Sequence, residues 1–292
     1  MVRRSIGTGI GSWLLLAACS GTPAASDAQP PAEPAAPERS SGDEAAAILV
    51  ARIDSALDTW NASCPKANAY GVCVEFVPAE SAASRCEPPL LEAVVVHPRD
   101  EQRAAVALTE LTEAMSMAGC ESELSCSREV LDLQPDDPEQ ARALGRALAA
   151  ARLARADADL EAYFSLVRPR DPAEHEAYYE TMFAHADRLR NDLTLVKSYE
   201  RADQASTAHA ALRLTWAFLH LADQLMDTPS SESGAEDPAA RTTQCDSKRE
   251  RAQVLRGFAY EAAKYCRVRG DSSGAAATAR ACEDLLQRFV VD

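Results

Sequence analysis

The sequence is short of glycine, aromatic residues and positive charge. Its 292 residues include 12 glycines and 5% aromatic residues, with 30 Lys and Arg residues against 45 Asp and Glu residues. A net charge of −15 repels nucleic acid and anionic membrane surfaces, and no basic stripe with interleaved aromatic residues offsets it. We therefore expect no nucleic-acid partner.

Recognisable catalytic motifs are also missing. We find no glycine-rich phosphate loop, no HExxH motif and no strand–turn–helix elbow around a GxSxG serine. His209 and His220 fall on one predicted helix face, and His175 lies between two glutamates. Such histidines more often make helix-surface or interhelical hydrogen bonds than bind a metal or transfer a proton. The sequence therefore assigns no catalytic residue, no metal ligand and no cofactor.

The sequence has one long apolar run, which lies at the amino terminus. Residues 1–18 resemble a secretory signal peptide, because Arg3 and Arg4 precede an apolar stretch too short to span a bilayer. The letters "LAAC" at 16–19 match the bacterial lipobox, in which the cysteine receives acyl chains, palmitate among them. We expect Cys19 to be lipidated, and the alternative is an ordinary signal peptide that happens to hold a cysteine.

Several consequences follow for the location of the protein. Cys19 is the only membrane attachment expected, since no second apolar segment is long enough to cross a bilayer. Ser20 stands where an aspartate would favour retention in the inner membrane, so we expect an outer-membrane lipoprotein that faces the periplasm. Loss of Arg3 and Arg4 with the signal would take the net charge from −15 to −17.

Eight cysteines remain once Cys19 is set aside, and an even number in an oxidising compartment favours a disulfide framework. Metal ligation is the alternative, but no two cysteines have the spacing of a zinc knuckle. The connectivity stays open, with Cys120–Cys126 and Cys266–Cys282 as the most plausible local pairs. The disulfide candidates are Cys64, Cys73, Cys86, Cys120, Cys126, Cys245, Cys266 and Cys282.

The composition divides the rest of the chain into three parts. Residues 19–42, rich in proline and alanine, predict a disordered tether. Residues 43–100 predict an amphipathic helix over 43–62, followed by a small cysteine-rich β-hairpin with strands at 72–77 and 93–97. Residues 101–292 predict a body that resembles a helical repeat.

The body is expected to consist of long helices packed as antiparallel hairpins. Asp-Pro pairs at 137, 171 and 237 are helix start signals, and Asp residues recur at intervals close to the tetratricopeptide period. The stretch 138–167 nevertheless lacks the internal turn of a tetratricopeptide unit, so only a related architecture is predicted. The helix over 204–228 is apolar on two sides and should be central, and "RGDSSG" at 269–274 is expected to form the last turn between helices.

Aromatic residues divide into expected core residues and candidate anchors for a partner. Tyr178, Tyr179 and Tyr199 are candidate exposed anchors, although the sequence does not separate them from core residues. The residues expected to fill the wider gaps between helices are Tyr163, Phe164, Phe183, Trp216, Phe258 and Tyr265.

Several stretches together resemble uncharacterised myxobacterial tetratricopeptide-like envelope lipoproteins. They include the lipobox, "VCVEF" at 72–76, "VVVHPRD" at 94–100 and "AALRLTWAFLHLADQLMDTP" at 210–229. The resemblance covers most of residues 60–290 and implies a mostly α-helical fold and a cell-envelope location, but no catalytic residues.

The expected function is that of a lipid-anchored periplasmic scaffold or adaptor. Its helical body would bind cell-envelope proteins, and it would touch the membrane through the lipid anchor alone. The alternative is an envelope enzyme or small-ligand carrier whose site is assembled from scattered residues, since a fold does not by itself fix a function.

Overall fold

Amphipathic stretches with clear start signals fold into helices throughout the part of the chain that the computed structural model describes. That part comprises residues 42–78, 86, 90–119, 135–199, 203–226 and 238–291, all within one compact unit, Ser40–Asp292. The predicted signal peptide, Cys19, most of the tether, and the predicted Cys120–Cys126 pair lie outside the described residues.

The described residues form seven helices, two short 3-10 turns and two strands. The strands β1 (Val74–Pro78) and β2 (Leu91–Val96) pair antiparallel, with Val74 opposite Val96. The 3-10 turns are Pro172–Glu174 and Lys197–Tyr199. The helices are α1 (Gly42–Ala62), α2 (Glu101–Met117), α3 (Pro138–Phe164), α4 (His175–Val196), α5 (Gln204–Met226), α6 (Pro238–Ser273) and α7 (Ala276–Val291). The predicted mostly helical fold class is confirmed.

Aspartate residues begin several of these helices by accepting hydrogen bonds from otherwise unpaired backbone N–H groups. The Asp137 side chain accepts from the N–H of Glu139, and Pro138 occupies the first helical position. Asp100 accepts from Arg103 at the start of α2, and Asp203 accepts from Ser206 at the start of α5. These caps set the start of each helix and hence the register of its apolar face.

Helix α5 lies at the centre of the fold. Eighteen of its 23 residues are buried, including Trp216, and α3, α4, α6 and α7 all pack against it. The alanine residues of α5 allow neighbouring helices to approach it closely. Because the apolar surface of α5 is wide, more than one neighbour is needed to cover it. The prediction that this helix is central is confirmed.

The connection between α6 and α7 differs from the sequence prediction. The segment 269–274 was expected to be a turn, but α6 continues through Ser273 and the chain reverses at Gly274, whose φ is +76°. A left-handed residue ends a helix most readily when it is glycine. Because the chain reverses at Gly274, Cys266 and Cys282 lie at nearly equal distances in sequence from the turn. The two cysteines are therefore at the same level of the adjacent helices.

Among the described residues, three disulfides join different elements of the fold. Cys64–Cys73 connects the end of α1 with the start of β1, and Cys86–Cys245 connects the segment between the strands with α6. Cys266–Cys282, the pair that the sequence favoured, joins α6 to α7 with a Cα–Cα distance of 6.1 Å. The long-range Cys86–Cys245 pair could not be chosen from the sequence, because eight cysteines allow about 105 pairings.

Buried ion pairs hold α3 against the N-terminal part and against α5. Arg99 donates to both carboxylate oxygens of Glu161, and its guanidinium lies 3.6 Å from the centroid of the Trp60 ring. Arg213 of α5 donates to both oxygens of Asp157. Because removal of one partner leaves an unpaired buried charge, each pair is more important to the fold than an exposed pair would be.

We predict that Arg99→Met lowers the free energy of unfolding by about 3 kcal/mol, since Glu161 would lose its charged partner while remaining buried. The double variant Arg99→Met with Glu161→Gln should recover part of this loss, because the amide oxygen still accepts from the Cys73 N–H. Guanidinium unfolding would measure both effects. The exposed Arg103→Met variant is the control, and equal destabilisation by Arg99→Met and Arg103→Met would contradict the prediction.

Stability should also depend on the protonation of His220. Burial beside the Tyr163 and Phe164 rings lowers the pKa of His220 to about 4. Between that value and the ordinary pKa of 6.5, the unfolded chain binds a proton that the folded chain does not, so stability falls as the pH falls. His220→Gln should therefore remove about 2 kcal/mol of the stability difference between pH 7 and pH 5.

The measurement for His220 is the free energy of unfolding at both pH values. His175→Gln is the matched control, because His175 lies outside the aromatic cluster at the start of α4. An unchanged pH dependence in His220→Gln would refute the assignment of this acid sensitivity to His220.

Candidate functional site

The candidate site is a groove over α5, between α4 and α6. These two helices pack on different sides of α5 and make little direct contact with each other. Two cavities of about 410 and 430 Å³ open along the space that remains. We call this space the α4–α6 groove.

The floor of the groove is an apolar strip of α5. Ala211, Leu214, Phe218 and Leu225 line it, at spacings that place them on one side of the helix. From Ala211 to Leu225 the strip is about 21 Å long, at 1.5 Å per residue. A groove of this length matches a helical segment of about four turns.

Large apolar side chains stand exposed on both walls. Phe183 on α4 is 42% exposed, and Val254 and Phe258 on α6 are 56% and 55% exposed. The Phe258 ring also approaches Phe218 of the floor, with 5.6 Å between centroids. Exposed apolar residues that adjoin an apolar floor are typical of an interaction surface, whereas scattered ones are not.

The exposed residues are not the ones that the sequence suggested. Tyr178 and Tyr199 were candidate anchors but are buried, each 7% exposed, while Tyr179 lines the groove and donates its hydroxyl to Gln224 O. Conversely, Phe183 and Phe258 were expected to fill the core and are exposed. The prediction for Phe183 and Phe258 was wrong, because the exposed faces of α4 and α6 depend on how far apart these helices lie. The burial of Tyr178 and Tyr199 agrees with the alternative that these tyrosines are core residues.

Charged residues of opposite sign face each other across the groove, and the signs on the two walls are exchanged between its two ends. Near Leu225, α4 carries Glu176 and Glu180, while α6 carries Lys248 and Arg251. Near Ala211 the order is reversed, because Arg190 and Lys197 lie on the α4 side and Glu261 lies on α6.

The pairs that these residues form locally are exposed. Arg190 pairs with Asp187 and Glu261 with Lys264, in both cases one helical turn away. Exposed pairs of this kind contribute about 0–1 kcal/mol. They therefore compete weakly with an incoming charged group.

The predicted histidine positions do not converge on one another. His209 Nδ1 lies 3.2 Å from the Thr278 hydroxyl, His175 Nε2 lies 3.1 Å from Pro169 O, and His220 lies between aromatic rings. Within the described residues, no three His, Cys, Asp or Glu side chains are placed to bind a metal ion. The interhelical contact of His209 is the kind that the sequence analysis favoured.

Residues Gly270–Gly274 match the pattern GxSxG, which surrounds the nucleophilic serine of many hydrolases. They form the last turn of α6 and the residue after it, not a strand-to-helix turn. The Ser272 hydroxyl donates to Arg269 O and to the Gln204 side chain. This serine therefore lacks the exposed, strained position of a nucleophile elbow.

The part of the chain that the structure describes contains no helix both long enough and apolar enough to span a membrane.

Sequence reasoning missed the α4–α6 groove as a defined surface. The signal that could have located it is the pair of exposed phenylalanines at matching positions on two helices, but only coordinates distinguish such residues from core residues. No protein-family model matches this chain, and neither the curated proteins nor the solved structures searched include a match to it.

Proposed function

We propose that the protein is a cell-envelope scaffold or adaptor that binds an amphipathic helix of a partner protein in the α4–α6 groove. The observation that supports this most directly is the exposure of Phe183 and Phe258 on the two walls, beside an apolar side of α5. Helix-in-groove recognition uses such a strip to bury apolar side chains spaced three and four residues apart.

The occupant follows from the arrangement of the helices. Helix α6 runs antiparallel to α5, because Phe258 lies beside Phe218 and Ser272 lies beside Gln204. Helix α4 does so as well, because Tyr178 contacts Gln224 whereas Arg190 lies near Ala211. A further helix lying along the groove would pack against α4, α5 and α6 as in a four-helix bundle, and it would cover Phe183 and Phe258.

The wall charges define the polar faces of this helix. Toward α4, it should carry basic residues near Leu225 and acidic residues near Ala211. Toward α6, the signs should be opposite, because Lys248 and Arg251 lie near Leu225 and Glu261 lies near Ala211. Complementary charges would increase the association rate of such a helix more than its affinity. Because the signs are exchanged both across the groove and along it, they select the charge pattern of the helix and not its direction.

The location belongs to the same proposal. The "LAAC" lipobox and the proline-rich segment after it favour attachment of Cys19 to the outer membrane, with the helical body in the periplasm. The resemblance to myxobacterial tetratricopeptide-like envelope lipoproteins favours the same compartment. We infer further that the helical pairs are related in architecture to tetratricopeptide hairpins, and that β1 and β2 belong to a disulfide-pinned hairpin.

The groove predicts a preference between two synthetic helical peptides of equal composition. One has the charge pattern described above around an apolar stripe, and the other has the signs exchanged. We expect the first to bind the full chain about tenfold more tightly, which corresponds to roughly 1.4 kcal/mol. Fluorescence anisotropy of labelled peptides measures both affinities.

Variants test where the peptide binds. Phe258→Glu should abolish binding, whereas Val106→Glu, an equally exposed apolar position on α2, should leave it intact. The double variant Glu180→Lys with Arg251→Glu should reduce the preference between the peptides. Equal affinity for both peptides, or equal effects of Phe258→Glu and Val106→Glu, would exclude the groove as the binding surface.

The anchor predicts a separate outcome in cells. Cys19→Ala should move the protein from the detergent phase to the aqueous phase or stall its processing, because the acylated thiol is lost. Ser20→Asp is the matched variant, and it should keep the protein in the detergent phase while moving it toward the inner membrane. Detergent partitioning and membrane fractionation measure these effects, and unchanged partitioning of Cys19→Ala would refute lipid attachment.

A further inference from the structure

Another cavity, separate from the two in the groove, lies on the opposite side of α5. It has a volume of about 370 Å³ and opens between α7 and the segment that leads into β1. Trp216 reaches it from α5, and Trp216 lies about 200° around the helix from Phe218 of the groove floor. We call this cavity the α7 pocket.

Three aromatic rings line one side of the α7 pocket. The Phe76 ring stacks on Trp216 with 4.4 Å between centroids, and the Tyr70 ring meets Trp216 edge-on at 5.6 Å. Phe76 in turn packs edge-on against Phe164 of the core. Phe76 therefore joins the wall of the pocket to the core, and Trp216 itself is only 4% exposed.

The backbone that carries Tyr70 is fixed by several independent contacts. The Asn68 side chain donates to Val74 O and accepts from the N–H groups of Tyr70 and Val72. Arg213 donates to Tyr70 O, and the Cys64–Cys73 disulfide spans the segment. A wall fixed in this way loses little conformational entropy when a ligand binds.

Carboxylates approach the pocket from two sides. Glu75 lies on the β1 side, and Asp284 extends from α7. Both ionic contacts of Glu75, to Lys66 and His97, use Oε1. Burial raises the pKa of Tyr70, and the negative charge of Asp284 raises it further, so the field of this carboxylate reaches the aromatic wall.

The remaining charged residue of the pocket is Arg288. Its guanidinium donates to Leu90 O, which directs one N–H group toward the strand segment. Lys66 contacts Glu75, and the charge of Arg280 acts on Tyr70 against that of Asp284, so the basic side chains around the pocket offset part of its negative charge. The whole chain has a net charge of −15, which favours a cation over an anion at its surface.

From this geometry we infer that the α7 pocket binds a small organic cation, an ammonium group that bears apolar substituents. Aromatic faces attract cations that have given up their water, and carboxylates on two sides add ionic attraction. The volume lies near the lower limit for small-molecule sites, which suits a ligand of the size of choline rather than a larger molecule. This site is independent of the groove and of any protein partner.

The test compares two probes of the same shape that differ in charge. Choline chloride and the neutral 3,3-dimethyl-1-butanol are titrated into the full chain at constant ionic strength, with isothermal titration calorimetry as the readout. We expect saturable binding of choline, and binding of the neutral alcohol that is weaker by about tenfold.

Variants assign the binding to the pocket. Asp284→Asn should weaken choline binding about fivefold and leave the neutral probe unchanged, and Asp284 is exposed enough for the variant to fold. Glu283→Gln is the matched control on α7, because Glu283 pairs with Arg267 and lies outside the pocket. Tyr70→Leu should weaken choline binding as well, through loss of a ring face.

Three results would overturn the inference. Equal affinity for the two probes would show that the pocket recognises shape and apolar surface but not charge. Binding of acetate or of a neutral sugar in place of choline would indicate a different class of ligand. An equal effect of Asp284→Asn and Glu283→Gln would place the cation elsewhere. Phe258→Glu should not alter choline binding, so failure of the groove proposal and failure of this one are distinguishable.

Discussion

The burial of α5 is the constraint on which the rest of the fold depends. A helix with Trp216 on one side and Phe218 on the other cannot be covered by a single neighbour, because these positions lie about 200° apart. The chain therefore places α3, α4, α6 and α7 around it. The long helices that follow one another in sequence also pack against one another in space, so most contacts between helices join consecutive ones.

Apolar packing alone does not determine how these helices align, since alanine-rich faces fit one another at several offsets. Buried charge supplies a more demanding condition. Asp157 and Glu161 lie one turn apart on α3, and each meets an arginine from a different element, Arg213 of α5 and Arg99 before α2. A shift of α3 by one turn would bring one carboxylate to the other's arginine but would leave the second carboxylate buried without a partner, so the two pairs favour one register over its neighbours.

Much of this architecture could be predicted from the sequence, because local signals determine where helices begin and which faces are apolar. The helix predicted over 43–62 spans Gly42–Ala62, and Leu49, Ile53 and Trp60 are buried as their spacing indicates. Asp137 caps α3 because an aspartate before proline satisfies a backbone donor within two residues. Each of these features depends on residues within one or two helical turns.

The features that the sequence did not predict depend on distant residues. Gly270 lies within α6 and not in a turn, and its lack of a side chain serves packing, because a Cβ there would lie 2.9 Å from Ala279 Cβ of α7. The connection Cys86–Cys245 spans 159 residues, and the exposure of Phe258 depends on where α4 lies. The α7 pocket likewise combines residues from the β1 segment, α5 and α7, and no sequence period connects them.

The two openings beside α5 differ in a way that matches them to different ligands. The α4–α6 groove is long, its floor is apolar, and exposed charges on flexible side chains border it, so it suits a macromolecule that buries a wide surface. The α7 pocket is small, and a disulfide, the Asn68 hydrogen bonds and aromatic packing fix its walls. Fixed aromatic walls suit a compact ligand, because its binding energy is not reduced by ordering the site. Both surfaces border the same helix, because α3, α4, α6 and α7 bury most of α5 and the two openings lie where Phe218 and Trp216 meet different neighbours.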